Sequence, residues 1–286
     1  MRIGYACVNT VIGCSSSRTF RLKNYSEEKL LITIKENLKC LEKILKWNVK
    51  HNILFFRVSS QLIPFASHPV CKFDWQGYFK KQFRNIGLIV KDNKIRLSMH
   101  PDQYVVINSD KKDVVKRSIS ELKYHCDVLD LMELDSANKI VIHVGGVYDD
   151  KEQAIKRFKR INSKLPGNLR KRLVVENDGK SYDVKDCLNL GLPVIVDTLH
   201  HELNNNGESL RKVIKLAEKT WEKRDGVPIV HYSEQRKGAV KGAHSRTISV
   251  SKLKSFLDKT SRGFDLMLEV KDKQQSVVKF LTKLPA

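Results

Sequence analysis

Side chains that bind metal ions end most of the strand-like apolar runs in this chain. An imidazole or a carboxylate closes each of the runs RLSMH, KIVIHV, RLVVEN, PVIVDTLH, PIVHYS and DLMLEV. The residues concerned are His100, His143, Glu176, Asp197, His200, His231 and Glu269. Side chains at the C-terminal ends of parallel strands converge on one face of a barrel, so residues distant in sequence can share one site. This pattern predicts a polynuclear metal site.

The ligand types indicate which ions such a site would take. A mixture of imidazole and carboxylate suits Zn²⁺, Mn²⁺ or Fe²⁺ better than Mg²⁺ or Ca²⁺. Three carboxylates in a barrel mouth would repel one another and lose hydration unless cations compensate them. Two metals about 3.5–4 Å apart can clamp a phosphodiester and activate a water molecule. The predicted chemistry is therefore hydrolysis of a phosphoester.

The composition favours a polyanionic partner. Lys and Arg number 53 against 32 Asp and Glu, which gives a formal net charge of +21. A basic surface neutralises phosphates and releases their condensed counterions, as in nucleic-acid binding. The alternative is a lysine-rich exterior that serves solubility or heat resistance.

The cysteines and the hydropathy predict a cytoplasmic protein that does not enter a membrane. The six cysteines, at positions 7, 14, 40, 71, 126 and 187, contain no CxxC pair, and no signal peptide precedes them. Their simplest interpretation is a set of buried, reduced thiols. No apolar stretch approaches the roughly 18 residues that a membrane-spanning helix needs.

Strand-like and helical periodicities alternate along the whole chain. Strands are predicted at 2–8, 53–60, 95–100, 139–144, 172–176, 193–197, 228–232 and 265–270. Amphipathic helices are predicted at 27–47, 75–90, 111–134, 151–162, 183–190, 208–220, 250–258 and 274–283. An open doubly wound sheet would need a glycine-rich phosphate loop after the first strand, where ACVNTVIGCSSS has no GxGxxG. We predict one domain, residues 1–286, folded as a single (β/α)₈ TIM barrel with its active site at the C-terminal strand ends.

Nine motifs follow the order and spacing of one family. They are GYACVN at 4–9, LIPFASHP at 62–69, RLSMHPDQYV at 96–105, IHVGG at 142–146, ENDGK at 176–180, VDTLHH at 196–201, HYSEQ at 231–235, GAH at 242–244 and LEVKDK at 268–273. The chain thereby resembles the UV damage endonucleases, which are TIM-barrel enzymes related to metal-dependent apurinic endonucleases. The resemblance implies nicking of DNA 5′ to cyclobutane pyrimidine dimers and 6-4 photoproducts, and often at abasic sites. It also implies a 3′-hydroxyl product and two to three divalent ions, Mn²⁺ foremost and Zn²⁺ as the alternative.

The resemblance assigns roles residue by residue. The shell of the two closer metals would be His100, His143, Glu176, Asp197, His231 and Glu269, with Glu176 bridging. His200 and His244 would hold a third ion, and His68 would contact either the phosphate or a metal. The catalytic residues would be Glu176, His68 and His231.

Four further residues would contact DNA. Tyr5 and Asn9 resemble family residues that touch the phosphate and the lesion. Gln103 and Tyr104 resemble the pair that enters the duplex where the damaged bases are extruded. An aromatic ring and an amide suit that role, since they can fill the vacated space and pair with orphaned bases. The partner would be double-stranded DNA carrying UV lesions, bound by a monomer.

The sequence departs from the family pattern at two positions. Asp102 stands in HPDQYV where the family usually has Gly, which places an acidic group on the DNA side. Ile229 lies two residues before His231, where family members commonly carry Lys.

Two other functions are compatible with parts of the pattern. A TIM-barrel sugar isomerase or epimerase also uses two metals and strand-end His, Asp and Glu, but would explain neither the charge of +21 nor the Gln103–Tyr104 pair. A lesion-binding module without catalysis would require an incomplete metal centre, whereas all the ligand positions carry ligand residues.

Overall fold

The strands close into a barrel in chain order, which confirms the predicted architecture. A computed structural model describes residues 1–148, 150–260 and 263–283. Its strands are β1 (Ile3–Ala6), β2 (Phe55–Val58), β3 (Arg96–Met99), β4 (Lys139–His143), β5 (Leu173–Glu176), β6 (Val194–Asp197), β7 (Ile229–Tyr232) and β8 (Asp265–Leu268). Each strand pairs in parallel with the next, and β8 pairs with β1. All C-terminal strand ends therefore lie on one face.

Helices cover the outside of the barrel. Those described are α1 (Glu27–Lys50), α2 (Trp75–Tyr78), α3 (Lys80–Asp92), α4 (Lys112–Leu131), α5 (Lys151–Asn162), α6 (Gly167–Arg172), α7 (Val184–Leu188), α8 (Thr198–Leu203), α9 (Leu210–Glu218), α10 (Val250–Lys259) and α11 (Gln274–Leu281). The predicted helix at 75–90 is divided at Phe79 into α2 and α3. In the described ranges, no helix combines the length and the apolar character needed to cross a bilayer.

Side-chain alternation along the strands builds an apolar layer inside the barrel. Its members are Ala6, Phe55, Val141, Val174, Ile195, Ile229 and Met267. The intervening strand residues, such as Ile142, Val175 and Val230, join the larger core between strands and helices. Because strand side chains repeat every two residues, the position two beyond a layer residue points the same way and lies nearer the C-terminal mouth. The apolar layer therefore lies directly below five side chains at the mouth, those of His143, Glu176, Asp197, His231 and Glu269.

A buried ionic network closes the N-terminal end of the barrel. Arg96 Nη1 lies 3.0 Å from Asp265 Oδ2, and Lys139 Nζ lies 2.6 Å from Asp225 Oδ1. Arg96 also donates through Nε to the Ala137 carbonyl at 2.9 Å and through Nη2 to the Asp225 carbonyl at 3.0 Å. Burial lowers the pKa of Lys139 to about 8, against the opposing effect of Asp225. These groups compensate one another, as buried charges must.

Two cysteines are joined, so the prediction of free thiols is wrong for this pair. Cys14 and Cys40 form a disulfide across a sequence separation of 26, with Cα atoms 5.9 Å apart. The bond ties the segment after β1 to α1. Their pairing depends on that segment folding back along the helix, which the spacing of cysteines alone does not reveal. Cys7, Cys71, Cys126 and Cys187 are free.

Close contact between α3 and α4 generates a test of the fold. A Cβ atom at Gly87 would overlap the backbone carbonyl of Met132 at the end of α4. Gly87→Ala should therefore lower the free energy of unfolding by about 1–3 kcal/mol, the usual cost of overpacking. Gly167→Ala is the matched control, because nothing lies within 4 Å of a Cβ there. Equal denaturation midpoints for the two variants would contradict the described packing.

Candidate metal centre

Two groups of ligand atoms share Glu176 at the barrel mouth. His100, His143 and Glu176 form one group, and Glu176, Asp197, His231 and Glu269 form the other. Within each group the ligand atoms lie within 4.8 Å of one another. Four of these residues belong to the C-terminal ends of β4, β5, β6 and β7, whereas His100 and Glu269 follow the last residues of β3 and β8. The barrel therefore brings together the six residues predicted for the two closer metals.

The two oxygens of Glu176 face different groups. Oε2 lies 3.0 Å from His100 Nε2 and 3.9 Å from His143 Nε2. Oε1 lies 3.0 Å from His231 Nδ1 and 3.7 Å from His200 Nδ1. A carboxylate placed in this way can offer one oxygen to each of two cations.

The pKa values of the three carboxyl groups are shifted in different directions. Burial alone would raise the pKa of Glu176, but His231, His143 and the contact with His100 outweigh it and hold the pKa well below its usual range. Arg57 and His231 overcome burial in the same way at Glu269 and lower its pKa to about 2. Burial dominates at Asp197 and raises its pKa to about 7, with His200 opposing. Asp197 is thus the carboxylate with the least compensation.

Buried polar atoms without partners test whether a cation fits. Among the residues the structure describes, Asp197 Oδ2 and His143 Nδ1 are buried and make no hydrogen bond. Buried polar atoms are usually satisfied, so such a cluster needs an explanation. Carboxylate oxygen and imidazole nitrogen together are the ligand set of Mn²⁺, Fe²⁺ and Zn²⁺. The residues present fit a divalent ion.

The histidines predicted for a third ion lie at the edge of this cluster. His200 Nδ1 is 3.0 Å from the Asn177 carbonyl, which can only accept a hydrogen bond, so Nδ1 carries the proton and Nε2 remains free. His200 Nδ1 is also 3.6 Å from Asp197 Oδ1, and His244 Nδ1 is 3.7 Å from Glu269 Oε2. Neither histidine belongs to the two groups of ligand atoms.

The other predicted site residues fall into two environments. His68 is exposed on the loop after β2, where its Nδ1 accepts from the Val70 backbone N–H at 3.1 Å. Tyr5 and Asn9 are buried: Tyr5 donates to Asn48 Oδ1 at 2.7 Å, and Asn9 Nδ2 donates to the Tyr5 hydroxyl at 2.9 Å. Neither of these two side chains presents a surface to a partner.

The turn after His100 projects outward. Asp102 and Gln103 are exposed there, and Tyr104 has an exposed fraction of 75%, although large aromatic side chains usually bury most of their surface. The acidic Asp102, which departs from the family pattern, thus borders the same face as the ligand groups. The turn is therefore accessible from the face that carries the ligand groups.

Sequence reasoning missed Arg57, which enters the second ligand group from β2. Its Nη2 lies 2.6 Å from Glu269 Oε1 and 3.0 Å from His231 Nε2. The available signal was a charged residue within the fully buried strand FFRV. Ile229, the other departure from the family pattern, belongs to the apolar layer beneath His231 and offers no charge.

Comparisons with known proteins agree with this arrangement. The model of the UV-endonuclease UvdE family matches residues 1–286. The UV DNA damage endonuclease of Clostridium perfringens (strain 13 / Type A) is 43% identical over 291 residues, covering 99% of this chain and 71% of that relative. The crystal structure of SacUVDE has a TM-score of 0.95 at 46% identity and covers 99% of this chain and 97% of that one.

A more distant structure shares the fold alone. Endonuclease IV from Thermus thermophilus has a TM-score of 0.59 at 16% identity, over 85% of this chain and 93% of that chain. The family match spans all the motifs quoted above, and it confirms the resemblance on which their roles were assigned. The chain belongs to the UV-endonuclease UvdE family.

Proposed function

We propose that this protein is a metal-dependent DNA repair endonuclease. It nicks the phosphodiester backbone 5′ to cyclobutane pyrimidine dimers and 6-4 photoproducts, and also at abasic sites, and leaves a 3′-hydroxyl. The observation that carries the proposal is Glu176, whose two oxygens face two ligand groups at the mouth of a UvdE-family barrel. We further propose that the chain acts as a single-domain monomer inside the cell.

The ligand groups would hold two to three divalent ions, with Mn²⁺ preferred and Zn²⁺ as the alternative. When bound, the ions would supply Lewis acidity that polarises the phosphate and lowers the pKa of an attacking water. Glu176 would bridge the two closer ions, His231 would fix the orientation of Glu176 and Glu269, and His200 and His244 would serve a third. His68, being exposed beside the mouth, would contact the phosphate rather than an ion.

The positive charge of the protein and the residues that project from the barrel mouth would both favour DNA binding at this site. The net charge of +21 favours a phosphate backbone over a small neutral sugar. Gln103 and Tyr104 would enter the base stack, since they closely follow His100 and project from the mouth. Tyr5 and Asn9 would support the DNA-binding face from the barrel interior. Asn9 donates to the Tyr5 hydroxyl and Tyr5 donates to Asn48, and these bonds fix the start of the loop that follows β1.

Metal removal tests the proposed chemistry. Treatment with a strong chelator should abolish nicking of UV-irradiated supercoiled plasmid, and added Mn²⁺ should restore it. Glu176→Gln should lower the rate by on the order of 100-fold or more, since it removes the shared charge between the ions. Glu152→Gln, an exposed change on α5, and an unirradiated plasmid are the controls. Full activity of the metal-free protein would refute metal-assisted hydrolysis.

Asp197 predicts an unusual dependence of stability on pH. Its pKa of about 7 in the folded protein exceeds the ordinary value of 3.8, so the metal-free fold loses stability as pH rises between these values. Asp197→Asn should raise the melting temperature of the metal-free protein at pH 8 by about 5 °C and leave it unchanged at pH 4. With Mn²⁺ present at pH 8, the melting temperature of Asp197→Asn should instead fall below that of the parent, because the variant has lost a metal ligand.

A second buried aspartate provides the control for that measurement. Asp225 is paired with Lys139 at 2.6 Å, so Asp225→Asn should lower the melting temperature at pH 8 by leaving the lysine without its partner. If Asp197→Asn also destabilises the metal-free protein at pH 8, Asp197 does not carry the excess charge inferred here.

Gln103 and Tyr104 can be tested apart from the metal centre. Replacing both with Ala should weaken binding to photodimer-containing DNA by about ten- to hundredfold, since stacking on a base contributes roughly 1–3 kcal/mol. Bound metal and the melting temperature should stay unchanged. Tyr78→Ala, which removes another exposed tyrosine on α2, is the control. A double variant that discriminates damaged from intact DNA as well as the parent does would exclude this role.

A further inference from the structure

The guanidinium of Arg57 lies within the second ligand group. Its Nη2 is 2.6 Å from Glu269 Oε1, and its side chain is only 8% exposed. The same nitrogen is 3.0 Å from His231 Nε2 and 3.3 Å from His231 Nδ1. A positive charge thus sits against two of the four side chains that would hold an ion there.

Arg57 is poorly satisfied compared with a structural arginine of the same barrel. All three guanidinium nitrogens of Arg96 donate hydrogen bonds, to Asp265 and to three backbone carbonyls. Arg57 Nε has no hydrogen-bond partner within the described ranges, whereas its Nη2 makes the contacts with Glu269 and His231. A buried pair retained for stability would be better bonded than this.

The contact with Arg57 also occupies the ring nitrogen of His231 that an ion would bind. Arginine can only donate, and its shorter contact is with Nε2, so His231 Nε2 is the accepting, unprotonated nitrogen. The ring proton is then on Nδ1, where it points at Glu176 Oε1, 3.0 Å away. Both nitrogens are therefore engaged, Nε2 by Arg57 and Nδ1 by its proton.

We propose that Arg57 is a positioning residue that competes with a divalent ion for Glu269 and His231. This half of the centre accordingly binds its ion more weakly than the half formed by His100, His143 and Glu176. The physical reason is repulsion between the guanidinium and an ion that shares the same carboxylate, in a buried site where screening is weak. The inference rests on the proposed metal centre, and it adds the order in which the two ligand groups would bind their ions.

Equilibrium binding of Mn²⁺ to the metal-stripped full chain, without DNA, tests this order. The parent should bind one ion more tightly and a further ion more weakly, as counted by the paramagnetic resonance of free Mn²⁺. Arg57→Gln should lower the dissociation constant of the weaker site by about tenfold or more, because the competing charge is gone. The dissociation constant of the tighter site should change by less than about threefold, since the contacts of Arg57 are with Glu269 and His231 and not with His100 or His143.

Two control variants separate charge from structure. Arg57→Lys keeps the charge, and the dissociation constant of its weaker site should stay within about threefold of the value for the parent. Arg96→Gln removes a buried arginine at the opposite end of the barrel, and it should leave both constants unchanged. If the dissociation constant of the weaker site stays the same or rises in Arg57→Gln, the proposal is overturned. Arg57 would then have no effect on binding of that ion or would strengthen it.

A measurement on the parent decides the matter if Arg57→Gln does not fold without metal. In a Zn²⁺ titration followed by nitrogen-15 NMR, the side-chain signal of Arg57 should move with the second equivalent and not the first. The Arg96 signal should stay fixed throughout. Movement of the Arg57 signal with the first equivalent, or with neither, would refute the proposal. Plasmid nicking is scored separately, so failure of the proposed function and failure of this inference remain distinguishable.

Discussion

Three carboxylates share the desolvated mouth of the barrel, and the rest of the site is arranged around their repulsion. Burial raises the free energy of each ionised carboxyl, so each requires a positive charge or a donor nearby. Imidazoles surround Glu176, and a guanidinium stands beside Glu269. Among the described residues, Asp197 is opposed in its burial by a helix cap and an adjacent histidine, and it is the group whose pKa rises. The deficit at Asp197 is what makes a cation favourable.

The barrel separates this functional layer from the one that stabilises it. Charged residues occupy both ends, and the apolar layer between them keeps the two sets apart. At the N-terminal end, Arg96 and Lys139 are fully engaged with Asp265 and Asp225. At the mouth, polar atoms remain without partners. The same two-residue alternation of strand side chains thus produces a satisfied network at the N-terminal end and a partly unsatisfied one at the mouth.

The sequence was sufficient for the barrel, and for the convergence of the predicted ligand residues, because both depend on local signals. Apolar runs predict strands, and residues at their ends must converge once the sheet closes. Arg57 escaped notice because nothing in FFRV indicates that its side chain crosses to β7 and β8. Helix α8 is too short for its periodicity to be read, and the Cys14–Cys40 bond depends on a loop path. Tertiary geometry decides all three.

Asp197 illustrates how narrowly one position can be constrained. Its Oδ1 accepts the backbone N–H of His200 at 2.7 Å and so begins α8, while the same carboxylate belongs to the second ligand group. A glutamate would add one methylene and could not keep both contacts, whereas an asparagine would keep the cap and give up the charge. Selection for local backbone order and selection for chemistry therefore act on the same short side chain. Substitution of this aspartate should be rare among members of the family.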